Sequence, residues 1–170
     1  MPVTLSQHQC TGAANFGKVP ATLDLIDRAR RRPTIRLDAY PYNASSKTLD
    51  PGRATPGVRI MVTWSTPHPD CAGRMLDDIA GAWGCSARAA AERLLPAGTI
   101  YFQLDEGDGR AIVGYPHTMI GSDGLPHDRH PHPRLWGTFP RVLGHYSRDL
   151  GLFPLASSTR RAAASSIRRR

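Results

Sequence analysis

The chain has 170 residues, 40% of them hydrophobic: enough for one ordinary domain with a real core, and with no apolar run long enough to span a membrane. Its start lacks the basic and apolar regions of a secretory signal, and Cys10, Cys71 and Cys85 are widely spaced with no C-x-x-C, which argues against a disulfide framework and suits a reducing cytoplasm. The net charge of +8 is a weak nucleic-acid signal, because residues 156–170, ASSTRRAAASSIRRR, hold five of the excess positive charges while the rest mixes both signs.

Val3–Ser6 reads as a short strand and Gly12–Val19 as a Gly/Asn loop. Thr22 is placed to cap a helix running to about Arg31, with Leu23, Leu25, Ile26 and Ala29 inward. Asp24/Arg28 and Asp27/Arg31 would pair on its wet face, and Pro33 would end it. Ile35 and Leu37 alternate in a strand that stops at Tyr40-Pro41-Tyr42, followed by a polar loop from Asn43 to Pro56. Val58–Trp64 is a β-branched run typical of a buried strand. Met75, Leu76, Ile79, Ala80 and Trp83 fall at helical spacing, Gly84 breaks that helix, and Ser86 can cap another through Leu95. Ile100–Leu104 reads as a strand, Gly109–Val113 as a short helix and His117–Ile120 as a strand. A last helix would carry Phe139, Val142, Leu143, Tyr146 and Leu150 on one face. Strands alternating with helices predict an α/β fold with a parallel sheet, and in such sheets chemistry sits beyond the carboxyl ends of the strands.

The stretch GSDGLPHDRHPHPR, residues 121–134, holds two Asp, three His and two Arg directly after an apolar strand. Asp123 leaves its strand between Gly121 and Gly124, so it suits a metal ligand or general base, or an ordinary turn aspartate. His127, His130 and His132 resemble a metal cluster. Pro131 and Pro133 force extended backbone, however, and no Cys or Glu completes a tetrahedral site, so surface histidines fit as well. Arg134, held by Pro133 beside Leu135-Trp136, suits bidentate carboxylate binding or a plain surface role. His8, at the end of the first strand between Gln7 and Gln9, is a candidate zinc ligand or a structural histidine. Tyr40-Pro41-Tyr42 and Tyr101-Phe102 fit packing and a pocket wall equally.

Taken together, His8 with GAANFG (12–17), LDAYPYNASS (37–46), PAGTIYF (96–102), MIGSDGLPHD (119–128) and HPRLWGTFPRVLG (132–144) resemble the N-acyl-D-amino-acid deacylases, zinc hydrolases of the amidohydrolase superfamily. The resemblance runs from about Leu5 to Leu155. It implies a partial (β/α)8 TIM-type barrel, roughly the second half, over residues 1–155, with 156–170 a disordered tail. It implies Zn2+ held by His8 and Asp123, with Asp123 as catalytic proton carrier. Tyr40, Ser46 and Arg134 would hold the substrate carboxylate, and Tyr101 and Leu104 would line the side-chain pocket. Of the family's two adjacent histidines, the sequence keeps the second, His8; if the first is the ligand, Gln7 has replaced it.

The implied reaction is zinc-dependent hydrolysis of N-acyl-D-amino acids, a small-molecule chemistry with no nucleic acid and no membrane. The family's early His-x-His, bridging cysteine and preceding-strand histidine do not occur before His8, and the Ala/Ser/Arg tail resembles a shifted frame in GC-rich DNA. The expectation is a truncated chain, inactive alone, whose exposed barrel edges could self-associate. The alternatives are a non-catalytic half-barrel that assembles with a separate N-terminal half, and a basic-tailed interaction protein.

Overall fold

Three short strands, β1 (Val3–Leu5), β2 (Ile35–Ala39) and, late in the chain, β6 (Thr118–Ile120), form a parallel sheet in the order β1-β2-β6. This computed structural model describes residues 3–30, 35–124 and 128–157. In register, Leu5 lies opposite Leu37, and Leu37 opposite Thr118. Helix α1 (Val19–Ala29) makes the crossover from β1 to β2, as parallel pairing requires. These elements belong to one compact unit, built from the described parts of Met1–Asn43, Leu104–Asp123 and Pro133–Arg170. Its core joins Val19, Leu23 and Ile26 of α1 to Leu37, Ala39 and Ile112. A second cluster joins Val113, Ile120, Val142, Tyr146 and Phe153.

Between Asn43 and Leu104 the chain builds a second unit, from Ala44–Gln103 with the described parts of Gly124–His132. Its strands are β3 (Ser45–Thr48), β4 (Arg59–Ser65) and β5 (Ala97–Phe102), in the order β3-β5-β4, with both pairings antiparallel. Helices α2 (Leu76–Ala82) and α3 (Ala87–Leu94) supply Leu76, Ile79, Ala90, Ala91 and Leu94 to a core shared with Ile60, Val62 and Tyr101. Two expectations are corrected here. The strands around Val58–Trp64 and Ile100–Leu104 do not extend the parallel sheet, and the expected polar loop contains β3. Alternation of strands and helices along the sequence does not distinguish a crossover from an antiparallel insertion.

Local signals explain most boundaries. Ser86 caps α3, its hydroxyl accepting the Ala89 amide at 3.2 Å, and Gly84 ends the preceding turn at φ 61°. Helix α4 (Glu106–Gly114) is capped by Asp105, whose carboxylate accepts the Asp108 amide at 2.9 Å. Helix α1 starts at Val19, three residues before the expected cap at Thr22. The Gly17 and Val19 amides donate to the carboxylate of Asp108, which is supplied from α4. Residues 19, 23 and 26 face inward, so Leu25 is 61% exposed rather than buried, and Ala29 is exposed too. Arg31 and Pro33 lie outside the described residues; Asp27 pairs with Arg30 at 3.9 Å. The last expected helix forms as α5 (Thr138–Arg141) continued by a π-helical stretch, Val142–Asp149, with Val142 and Tyr146 buried. Among the described residues, no helix is long and apolar enough to cross a membrane.

Gly98 lies in the central strand of the antiparallel sheet. A Cβ there would sit 2.7 Å from Thr63 Oγ1 and collide with the Trp64 indole nitrogen. Gly98→Ala is therefore expected to destabilise the protein by ~1–3 kcal/mol, the usual range for overpacking. A urea midpoint equal to wild type would show that the sheet accommodates the methyl group.

Candidate functional site

The carboxyl ends of β1, β2 and β6 carry the site, and Asp38 of the central strand β2 organises them. Its Oδ1 accepts the Gln7 amide at 2.8 Å, and its Oδ2 accepts the Ser6 hydroxyl at 3.2 Å. Its backbone carbonyl accepts the His8 amide at 2.9 Å. These bonds hold Gln7 at φ 53°, a left-handed conformation that costs a non-glycine residue ~1–3 kcal/mol. On the other side of β2, the Gly121 amide donates to the Ala39 carbonyl at 3.1 Å, which fixes the exit of β6 toward Asp123.

Asp123 Oδ2 is the meeting point. It accepts Gln7 Nε2 at 2.6 Å and pairs with Arg134 Nη2 at 2.9 Å. The Asp123 side chain is 35% exposed and that of Arg134 is 5% exposed. The guanidinium lies over the Tyr40 ring, 4.5 Å from its centroid, a cation–π arrangement. Arg134 sits on a 3-10 turn, Pro133–Leu135, and its carbonyl accepts the Thr138 hydroxyl at 2.7 Å. The Gly137 amide donates to the Pro133 carbonyl at 2.7 Å. Burial pushes the Tyr40 phenol above its usual 10.0, with the Arg134 cation acting against it, so the phenol keeps its proton at neutral pH. The group can thus present a carboxylate for proton transfer beside a guanidinium and a phenol able to hold an anion.

The structure brings Tyr40, Asp123 and Arg134 together. His8 is turned to helix α1, with Nε2 2.9 Å from Thr22 Oγ1. The same hydroxyl lies 2.8 Å from the Val19 carbonyl, so the His8 ring is held against the first turn of α1. Leu104 is half-buried, its amide donating to the Asn43 carbonyl at 3.2 Å, and it borders a small cleft with Gln9, Tyr42 and Ile112. Ser46 and Tyr101 lie in the second unit. Ser46 is buried on β3; Tyr101 is fully buried in the core, and its hydroxyl accepts the Asp50 amide at 2.9 Å.

Of the three histidines considered as a cluster, His127 lies outside the described residues. His132 is buried, and the exposed His130 lies against Gly73. Among the described residues no three His, Cys, Asp or Glu side chains converge as a metal cage. The described residues do not by themselves fit a zinc ion, which takes three or four protein ligands, and the His8 ring lies against Thr22 rather than beside Asp123.

Sequence reasoning gave no role to Asp38 and considered Gln7 only as the residue that has replaced the ligand if the first of the two histidines binds metal. The one signal for Asp38 was a lone carboxylate between Leu37 and Ala39 at a strand end. The left-handed turn at Gln7 has no signature in its residue type.

No protein-family model matches the chain. It is 52% identical over 158 residues, 93% of its length, to a D-aminoacylase from Alcaligenes xylosoxydans xylosoxydans. It is also 52% identical over 161 residues, 94% of its length, to an N-acyl-D-glutamate deacylase from the same organism. Each match covers 33% of the relative, so the chain spans about a third of the length of the proteins it resembles. Among solved structures, it superposes with a TM-score of 0.91 and 50% identity on an N-acyl-D-glutamate deacylase from Bordetella bronchiseptica complexed with zinc and a phosphonate mimic of the tetrahedral intermediate. That match covers 94% of this chain and 34% of the other. A D-aminoacylase crystal structure matches with a TM-score of 0.89 and 51% identity, over 95% of this chain and 34% of that one.

Burial lowers the His8 pKa below its ordinary 6.5. A depressed folded-state value means that the neutral ring stabilises the fold fully above the unfolded value, and that this contribution is lost as pH falls through the lower, folded one. A proton-NMR titration of His8 should give a midpoint under 6.5; a midpoint at or above it would contradict the burial of the ring.

Proposed function

We propose that the chain supplies one third of an N-acyl-D-amino-acid deacylase, and that this third carries the proton-transfer and carboxylate-binding groups. The observation that carries the reading is the Asp123–Arg134 pair over Tyr40, at the carboxyl ends of parallel strands. It occurs in a chain half identical to D-aminoacylases. The β1-α1-β2 crossover and β6 are read as adjacent staves of a (β/α)8 barrel over residues 1–155, with the antiparallel unit inserted between β2 and α4. Active sites of such barrels occupy this end of the strands. Both edges of the parallel sheet, β1 and β6, lack a further partner strand among the described residues, as staves cut from a larger barrel would.

In the proposed reaction, water adds to the acyl carbon and the carbon–nitrogen bond breaks. Asp123 takes the proton of the attacking water and returns it to the leaving amine nitrogen. Arg134, with Tyr40, holds the α-carboxylate of the amino acid, which fixes the stereocentre relative to Asp123. Leu104 is the remaining proposed contact with the substrate; Ser46 and Tyr101 belong to the second unit, Tyr101 within its core, and take no part in it. The zinc of the related deacylase would need ligands beyond those found among the described residues. The substrate is a small N-acyl-D-amino acid; neither nucleic acid nor membrane enters this reading.

Asp123 already occupies Arg134, so a substrate carboxylate must compete for the guanidinium. Titration calorimetry with N-acetyl-D-amino acids should show Arg134→Met weakening binding by about 10- to 100-fold, the range of a hydrogen bond to a charged group. Asp123→Asn should bind the same ligands more tightly than wild type. Equal affinity in all three proteins would remove Arg134 from the carboxylate site.

A further inference from the structure

We infer that the strand-end position facing Asp123 is residue 7, not residue 8, and that Gln7 holds Asp123 there as an amide donor in place of a metal ligand. The inference rests on reading Asp123 as the working carboxylate, and it deepens that reading by assigning what this chain sets against it. Gln7 and His8 are successive residues leaving β1, and their side chains diverge. Gln7 Nε2 reaches Asp123 Oδ2 at 2.6 Å, while His8 Nε2 lies 2.9 Å from Thr22 Oγ1 on α1. The φ of 53° at Gln7, fixed by Asp38, keeps the two apart.

The electrostatics agree with the geometry. Asp123 Oδ2 already meets a guanidinium nitrogen at 2.9 Å and an amide nitrogen at 2.6 Å. A divalent cation seeking that oxygen would face the Arg134 charge at contact distance. A carboxamide NH2 group has no lone pair to offer a metal, and zinc takes imidazole, thiolate or carboxylate. The histidine expected to bind metal is thus one residue away from the position that reaches the carboxylate. An imidazole at position 7 would point a nitrogen where the Gln7 amide now stands.

The test is Co2+ titration of the full chain followed by visible absorption, with Zn2+ calorimetry alongside and far-UV circular dichroism to verify folding. Gln7→His should bind Co2+ at least about tenfold more tightly than wild type, and the added Asp123→Asn should cancel that gain. Gln7→Glu, close to wild type in shape, should also gain affinity and serves if the histidine variant does not fold. His8→Ala should leave metal affinity unchanged. The inference is overturned if His8→Ala lowers metal affinity. It is also overturned if folded position-7 variants gain none, or if their gain survives Asp123→Asn. These titrations read the metal alone, so deacylation can fail as a reading while this assignment stands, and the reverse.

Discussion

A buried guanidinium is the constraint around which the site is built. Arg134 is 4% exposed, and a charge taken out of water destabilises a fold unless a carboxylate and further contacts compensate it. Asp123 provides the carboxylate and the Tyr40 face provides the surface beneath. The two partners reach Arg134 from the ends of β6 and β2, so its buried charge is compensated only where the parallel sheet keeps its observed register. Hydrogen bonds along the 3-10 turn and into α5 then fix the arginine backbone. Fold and site are one cooperative arrangement here: residues proposed to bind substrate also neutralise the interior.

Asp38 has the complementary task of ending the strands cleanly. A parallel sheet leaves backbone donors at its carboxyl edge, where a ligand must also approach. Asp38 uses its carboxylate for Ser6 and Gln7 and its carbonyl for His8. The three residues after β1 are thereby fixed to β2 although none of them is in a strand. Gln7 tolerates an unfavourable φ because this clamp outweighs the strain. The strain separates the side chains of residues 7 and 8, and so decides which one reaches Asp123.

Much of the fold was legible wherever a local signal decided it. Ser86 as a cap, Gly84 as a breaker and the alternation of Ile35 and Leu37 all act within a few residues and read directly. The start of α1 did not, because its capping carboxylate, Asp108, lies almost ninety positions away along the chain. The antiparallel unit was missed for a related reason. Strand direction is set by partners, and the polar sequence of β3, Ser-Ser-Lys-Thr, has no apolar alternation to expose it as a strand. At the site, Asp123 and Arg134 were marked by their glycine and proline neighbours. Asp38 and Gln7 act through backbone geometry that their residue types do not encode.

The adjacent pair Gln7-His8 shows how far a motif can carry an assignment. Residue type favours His8, since imidazole is a zinc donor and carboxamide is not. Geometry favours Gln7, since the left-handed turn after β1 brings its amide to Asp123 and leaves His8 against Thr22. A resemblance between sequences aligns positions but does not say which of two neighbours faces inward; the backbone turn after β1 does. Within this chain the carboxylate at the sheet end is therefore held by an amide and a guanidinium, both hydrogen-bond donors. That environment suits the proposed anion-binding role better than a self-sufficient metal centre.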